Sequence, residues 1–159
     1  MNVADERKDI VGTVERIANI HSGVRGALLP LLHDLVKQIG YVDDAAIPPI
    51  AKALNLSRAE VHGVVTFYHD FRRQRAGRHI VKLCRAESCQ ARGGAAIEQA
   101  VQERLGVKMG STRVDGQVTL EAVYCLGMCA IGPNALVDGS PIARIDDVVL
   151  DRIAREIAA

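Results

Sequence analysis

From Val24 to Ile39 the chain reads VRGALLPLLHDLVKQI, and its apolar positions Leu28, Leu31, Leu32, Leu35, Val36 and Ile39 recur at spacings of three and four. That period marks one face of an α-helix, with Gly40 placed to end it in a left-handed turn. Pro30 either kinks this helix or sits in its true first turn. Asp44 to Leu54 predicts a second, shorter helix with Ile47, Ile50, Ala51 and Leu54 inward and Pro48 and Pro49 in the first turn. A third begins at Ser57, where the S-x-x-E pattern with Glu60 fits a capping box; Val61, Val64, Val65 and Tyr68 continue its apolar side. Helices this short bury little area alone, so they should pack as a small bundle or against a partner.

The pattern changes after FRRQRAGRH, whose charge and Gly77 predict a solvated link. HIVKLC, from His79 to Cys84, reads as a strand. Ala91 to Leu105 reads as a helix with Ile97, Val101 and Leu105 on one side, ended by Gly106. Short strands follow at Gln117 to Tyr124 and Ala135 to Val137, the latter turning at Asp138-Gly139 toward Ile142. Asp146 to Ile157 closes the chain as a helix, with Val149, Ile153 and Ile157 one turn apart. The expected organisation is a bundle of three to four helices over residues 1–76, then a small α/β sandwich over 77–159, a layout that thioredoxin-like domains share.

Composition narrows the function more than the fold. At 159 residues, with 48% apolar and 25% charged, the chain is long and apolar enough to fold. Twenty Lys plus Arg against nineteen Asp plus Glu give a formal +1, which supplies no general pull toward nucleic acid or anionic membrane. No apolar run is long enough for a membrane span, and MNVADERKDI lacks the apolar stretch of a signal peptide, so the cytoplasm is the expected compartment. There is no paired-carboxylate site, nucleophile elbow, P-loop or G-x-G-x-x-G, hence no expected site for substrate chemistry or a dinucleotide.

The chemistry lies in four cysteines: Cys84-x4-Cys89, thirty-five intervening residues, then Cys125-x3-Cys129. Cys84 falls at the end of the first strand, Cys89 just before a helix, Cys125 at the end of a later strand and Cys129 in the loop beyond. Two loops meeting at one sheet edge would each contribute a pair of thiolates, a soft donor set. A [2Fe-2S] cluster, a structural Zn(Cys)4 site and plain buried thiols all remain open on spacing. Disulfides suit a cytosolic chain poorly, and neither C-x-x-C nor C-x-x-C-H occurs.

With VVTFYHDF at Val64 to Phe71 and CLGMC at Cys125 to Cys129, the pattern resembles the thioredoxin-like [2Fe-2S] ferredoxins found as the 24 kDa subunit of respiratory NADH dehydrogenase. Related subunits occur in NAD-linked hydrogenases and molybdenum formate dehydrogenases. The resemblance implies that Cys84 and Cys89 hold one iron and Cys125 and Cys129 the other. It implies a non-catalytic electron-transfer subunit beside a flavoprotein that carries FMN and NAD. The first loop, CRAESC, has Glu87 and Ser88 where the respiratory version often has Gly-Thr, and AIGPNALVDG follows the last cysteine. Both look more like the gamma subunit of soluble NAD-dependent formate dehydrogenase, which implies a further partner subunit carrying the molybdenum cofactor and other clusters. The equivalent subunit of an NADH:quinone oxidoreductase or hydrogenase is the alternative; a zinc-braced scaffold is the alternative of another class.

Around these motifs, Phe67 and Tyr68 read as core plugs or as family contacts, largely buried either way. Arg72, Arg73, Arg75, Arg78 and Lys82 read as a solvated linker face, with docking to an acidic partner patch as the alternative. Gly127 and Gly132 read as relief of crowding around the sulfurs or a positive φ, with an ordinary turn glycine as the alternative and the first choice at Gly132. Met128 and Ile131 are placed to shield sulfur, Arg85 or Arg92 to offset its charge. His21, His33, His62, His69 and His79 lack metal spacing.

Overall fold

The computed structural model describes residues 3–158. The chain divides into two compact units, one ending at Arg75 and the next beginning at Ala76.

The first unit is helical: α1 (Val3–Ile20), α2 (Leu28–Ile39), α3 (Ile47–Leu54) and α4 (Arg58–Phe67). α2 starts at Leu28, the first position of its apolar period, and Pro30 lies in its true first turn. Pro30 is its third residue, where a missing N–H costs nothing, and Gly40 closes it at φ 92° with its N–H on the Val36 carbonyl. A 3₁₀ turn over Asp44–Ala46 leads into α3, so the single predicted helix is two elements; the Asp43 carboxylate accepts the Ala45 N–H at 2.7 Å. The capping box of α4 is present in both directions: Glu60 N–H to Ser57 Oγ at 3.1 Å and Ser57 N–H to Glu60 Oε2 at 2.8 Å.

The core of this unit encloses Val14, Leu31, Leu32, Leu35, Ile50 and Val61, none of which reaches solvent. Two expectations fail at the end of α4. Tyr68 falls outside the helix in extended backbone and is 43% exposed. Phe71, assigned by its charged neighbours to a solvated link, is buried, its ring edge-on to His33 at 5.1 Å and to Tyr68 at 5.8 Å. A phenyl ring gains more from burial than the surrounding arginines lose by staying at the surface.

The second unit is an α/β sandwich. Its strands are β1 (His79–Cys84), β2 (Ser111–Thr112), β3 (Val118–Val123), β4 (Ala135–Val137) and β5 (Ser140–Ile142), in the sheet order β2-β3-β1-β4-β5. β1 lies in the middle, parallel to β3 and antiparallel to β4. Its helices are α5 (Glu87–Ala91), α6 (Gly94–Leu105) and α7 (Asp147–Ala158). The predicted helix from Ala91 is broken, because Gly93 turns left-handed at φ 87° and separates α5 from α6. Val81 and Leu83 of β1, Val118 and Leu120 of β3, Val101 and Leu105 of α6, and Leu150, Ile153 and Ile157 of α7 form one buried cluster. Leu150, not Val149, leads the inward face of α7. No described helix is long and apolar enough to cross a membrane.

Candidate metal centre

Parallel pairing of β1 with β3 sets Cys84 opposite Val123, so the chain leaves both strands at the same edge of the sheet. The ladder continues one step further, with the Arg85 N–H on the Val123 carbonyl at 2.8 Å. Both cysteine loops therefore start from neighbouring points. Cys84 is the last residue of β1 and is buried; Cys89 is also buried and lies inside α5 rather than ahead of a helix. Cys125 stands two residues beyond β3 in left-handed backbone at φ 74°, and Cys129 opens a 3₁₀ turn over Cys129–Ile131. All four are free thiols, and both members of the second pair are exposed. The Cys125 and Cys129 sulfurs are 3.6 Å apart.

The loop CLGMC curls because Gly127 also takes a positive φ, 79°, which directs its N–H toward the Cys125 sulfur at 3.4 Å. Gly132 has ordinary backbone and suits its place for another reason. A Cβ there would stand 3.2 Å from the Cys89 sulfur and 3.4 Å from Arg92 Cδ. It is a close-approach glycine, not the turn glycine its context suggested.

Cys84, Cys89 and Cys129 respond to their neighbours. Burial pushes Cys84 up, but the backbone N–H groups of Ala86, Cys125 and Leu126 and the Cys89 thiol together hold it below the ordinary thiol range. Burial pushes Cys89 up, and the neighbouring Cys84 adds to this against one N–H from Asn134. Cys129 is raised first by its hydrogen bond with Cys125, then by that sulfur's charge and by burial. Such a group resists carrying four negative charges unless cations sit among the sulfurs. Among the described residues no three His, Cys, Asp or Glu side chains form a group able to hold one metal ion; the sulfurs come as two pairs. This donor set, soft and paired, with N–H groups aimed at sulfur, fits a two-iron cluster with one pair on each iron.

Other sequence candidates fall elsewhere. Arg85 is committed to Glu98 at 2.9 Å, and Ile131, expected to shield sulfur, is 37% exposed. Met128 is half-buried. Phe67 is 73% exposed and meets Tyr68 edge-on at 5.0 Å, so neither is a core plug. Within the basic run Arg73 pairs with Asp44, Arg75 lies over the Tyr41 ring at 6.0 Å, and Arg72 and Lys82 are engaged as well. His21 and His79 bond Asp34 and Asp138. Two residues support the site in roles the sequence did not signal, Ser88 having stood out only as a departure from Gly-Thr. The Ser88 hydroxyl donates to the Cys129 carbonyl at 3.2 Å, and the Asn134 amide to the Met128 carbonyl at 2.9 Å.

The family model for the thioredoxin-like [2Fe-2S] ferredoxins matches residues 14–158. The chain is 37% identical over 125 residues to a subunit of the NADH-quinone oxidoreductase of Escherichia coli strain K12, covering 79% of this chain and 75% of that one. It is 36% identical over 126 residues to the like-named subunit of Pseudomonas aeruginosa, covering 79% and 76%. Among solved structures, an NAD⁺-reducing [NiFe]-hydrogenase in the air-oxidized state superposes with a TM-score of 0.71 over 83% of this chain at 23% identity. That likeness is one of fold, and the chain spans 23% of the length of the hydrogenase chain.

Proposed function

Because the chain belongs to the thioredoxin-like [2Fe-2S] ferredoxin family and so carries one [2Fe-2S] cluster, we propose that Cys84, Cys89, Cys125 and Cys129 hold that cluster. We further propose that the chain is the electron-transfer subunit beside an FMN- and NAD-binding flavoprotein in an NADH-linked oxidoreductase of the quinone-reducing or hydrogenase kind. The observation that carries the reading is the delivery of two thiol pairs to one sheet edge by the parallel β1–β3 pairing. When bound, the cluster takes up and returns one electron at a time. The protein's part is to make that electron tolerable and accessible. N–H groups of Ala86, Cys125, Leu126, Gly127 and Asn134 point at sulfur and offset negative charge. The buried Cys84 and Cys89 keep water from one side, while Cys125 and Cys129 lie at the surface, where a redox partner can approach.

The names of the relatives support an NADH:quinone oxidoreductase parent. The loops CRAESC and AIGPNALVDG support a second reading, a formate dehydrogenase with a molybdenum-bearing subunit, and nothing among the relatives above adds to it. Anaerobically purified protein should contain about two irons and two acid-labile sulfides per chain. Reduced protein should give a low-temperature EPR signal that Cys→Ser at any of the four positions abolishes or alters. Zinc without sulfide, or a signal unchanged in C129S, would overturn the site. The parent is tested on the complex isolated by a tag on this chain, assayed with NADH and a quinone, with hydrogen, and with formate and NAD⁺. Formate-dependent NAD⁺ reduction would replace the first reading with the second.

A further inference from the structure

We infer that Asn134 is the positioning residue that sets the buried and exposed thiol pairs in register, an inference that rests on the four-cysteine reading above. Asn134 lies between the Cys129 turn and β4 and is 1% exposed. Three of its groups reach three different cysteine segments. Its carbonyl accepts the Cys84 N–H at 2.9 Å. Its backbone N–H donates to the Cys89 sulfur. Its side-chain Nδ2 donates to the carbonyl of Met128, the residue before Cys129, at 2.9 Å. Any residue but proline could make the first two contacts. The third needs a donor of this length, and of the side-chain ties between the exposed-pair loop and the segments of the buried pair it is the shorter and the buried one.

The rest of the amide argues that stability is not its purpose. Asn134 Oδ1 is buried and finds no hydrogen-bond partner among the described residues. An unpaired buried acceptor lowers stability, whereas an apolar side chain of the same size would avoid that loss. The Met128 carbonyl does not depend on Asn134 either, since it also accepts the Ile131 N–H at 3.1 Å. What the amide adds is a fixed distance between two loops that must together close on one cluster. The Ser88 hydroxyl makes a companion tie to the Cys129 carbonyl, longer at 3.2 Å and open to solvent. Partners behind the ligands hold geometry in this way at metal sites generally.

The test compares wild-type full-length protein with N134L and S88A, all purified with cluster under anaerobic conditions. N134L should melt no lower than wild type by far-UV circular dichroism. Its reduced EPR lines should shift or broaden, and its iron should pass to a chelator about tenfold faster, the scale of lost support behind a metal ligand. S88A should fall between the two. An N134L spectrum and release rate that superimpose on wild type would overturn the inference. So would an N134L that melts lower with unchanged EPR, because the amide would then serve stability. If N134L does not accumulate, N134S is read in the same way, and failure of both to fold also overturns it. Wild-type protein lacking two irons and two sulfides, or indifferent to C129S, would instead refute the four-cysteine reading, whatever Asn134 does.

Discussion

Gly94 opens α6 against the turn that carries Cys89, and a methyl group there has no room. A Cβ at this position would lie 2.7 Å from the Cys89 carbonyl oxygen and 3.0 Å from its carbon, where ordinary contact begins at 3.4 Å. The obstacle is backbone, and the Arg92 N–H already holds the same carbonyl at 3.2 Å, so it cannot simply swing aside. In G94A the first turn of α6 and the turn bearing Cys89 must separate by roughly half an ångström, which forfeits part of the packing around them. Overpacking of this kind costs about 1–3 kcal/mol. Alanine returns up to about 1 kcal/mol through helix propensity, less at the first position of a helix than in its interior. The net expectation is a loss of about 1–2 kcal/mol, or about 5–15 °C in the melting of a unit this size. Far-UV circular dichroism and the visible absorption of the cluster, followed together on anaerobic protein, give the measurement. G63A is the matched control. Gly63 is exposed in the interior of α4 with nothing within 4 Å of its Cβ position, so alanine there should stabilise by about 0.5–1 kcal/mol. G94A melting at or above wild type would refute the steric account, and a destabilised G63A would refute the propensity half.

Two further changes test the sheet unit. Thr119 is buried, and its hydroxyl accepts the Gly77 N–H at 2.7 Å while sharing a hydrogen with Thr112. T119V keeps the shape but strands that N–H, and urea denaturation should show a loss of about 1 kcal/mol, the low end for a part-buried donor; an unmoved midpoint would count against it. Burial pushes the Asp138 carboxyl up, but the His79 ring and the Ile80 N–H outweigh this and hold it below the ordinary carboxylate value of 3.8. Its folded pKa lies below the unfolded one, so the stabilisation is complete above the ordinary carboxylate range and is lost as pH falls through the folded value. The group is 46% exposed, so the effect is screened to under about 1 kcal/mol. The stability difference between wild type and D138N should therefore shrink to nothing on acidification, and a difference that persists undiminished would exclude this carboxylate as its source.

Signals carried within one turn of chain are legible in the sequence alone. Ser57 and Glu60 announce the start of α4 because a capping box closes over three residues, and Gly40 announces the end of α2 because only the local backbone decides a left-handed cap. β1 runs over the six residues its composition marks, and the cysteines read as two pairs because each pair lies within five residues of chain. α1 was legible in principle. Ile10, Val14, Ile17 and Ala18 keep helical spacing and are all buried, but the charges among them dilute the apolar pattern. Gly132 and Asn134 were beyond reach. Nothing near them in sequence distinguishes a glycine beside the Cys89 sulfur from a turn glycine, or an asparagine tied to Met128 from a loop asparagine. Their reach to Cys89 and Cys84 exists only once β4 pairs antiparallel with β1, which sets Leu83 opposite Ala135 and brings together segments far apart in the chain. Within the helical unit, packing likewise separates the buried Phe71 from the exposed Phe67, two phenylalanines four positions apart in sequence. A local pattern states what a residue prefers, and the packed chain decides which neighbours are left to satisfy it.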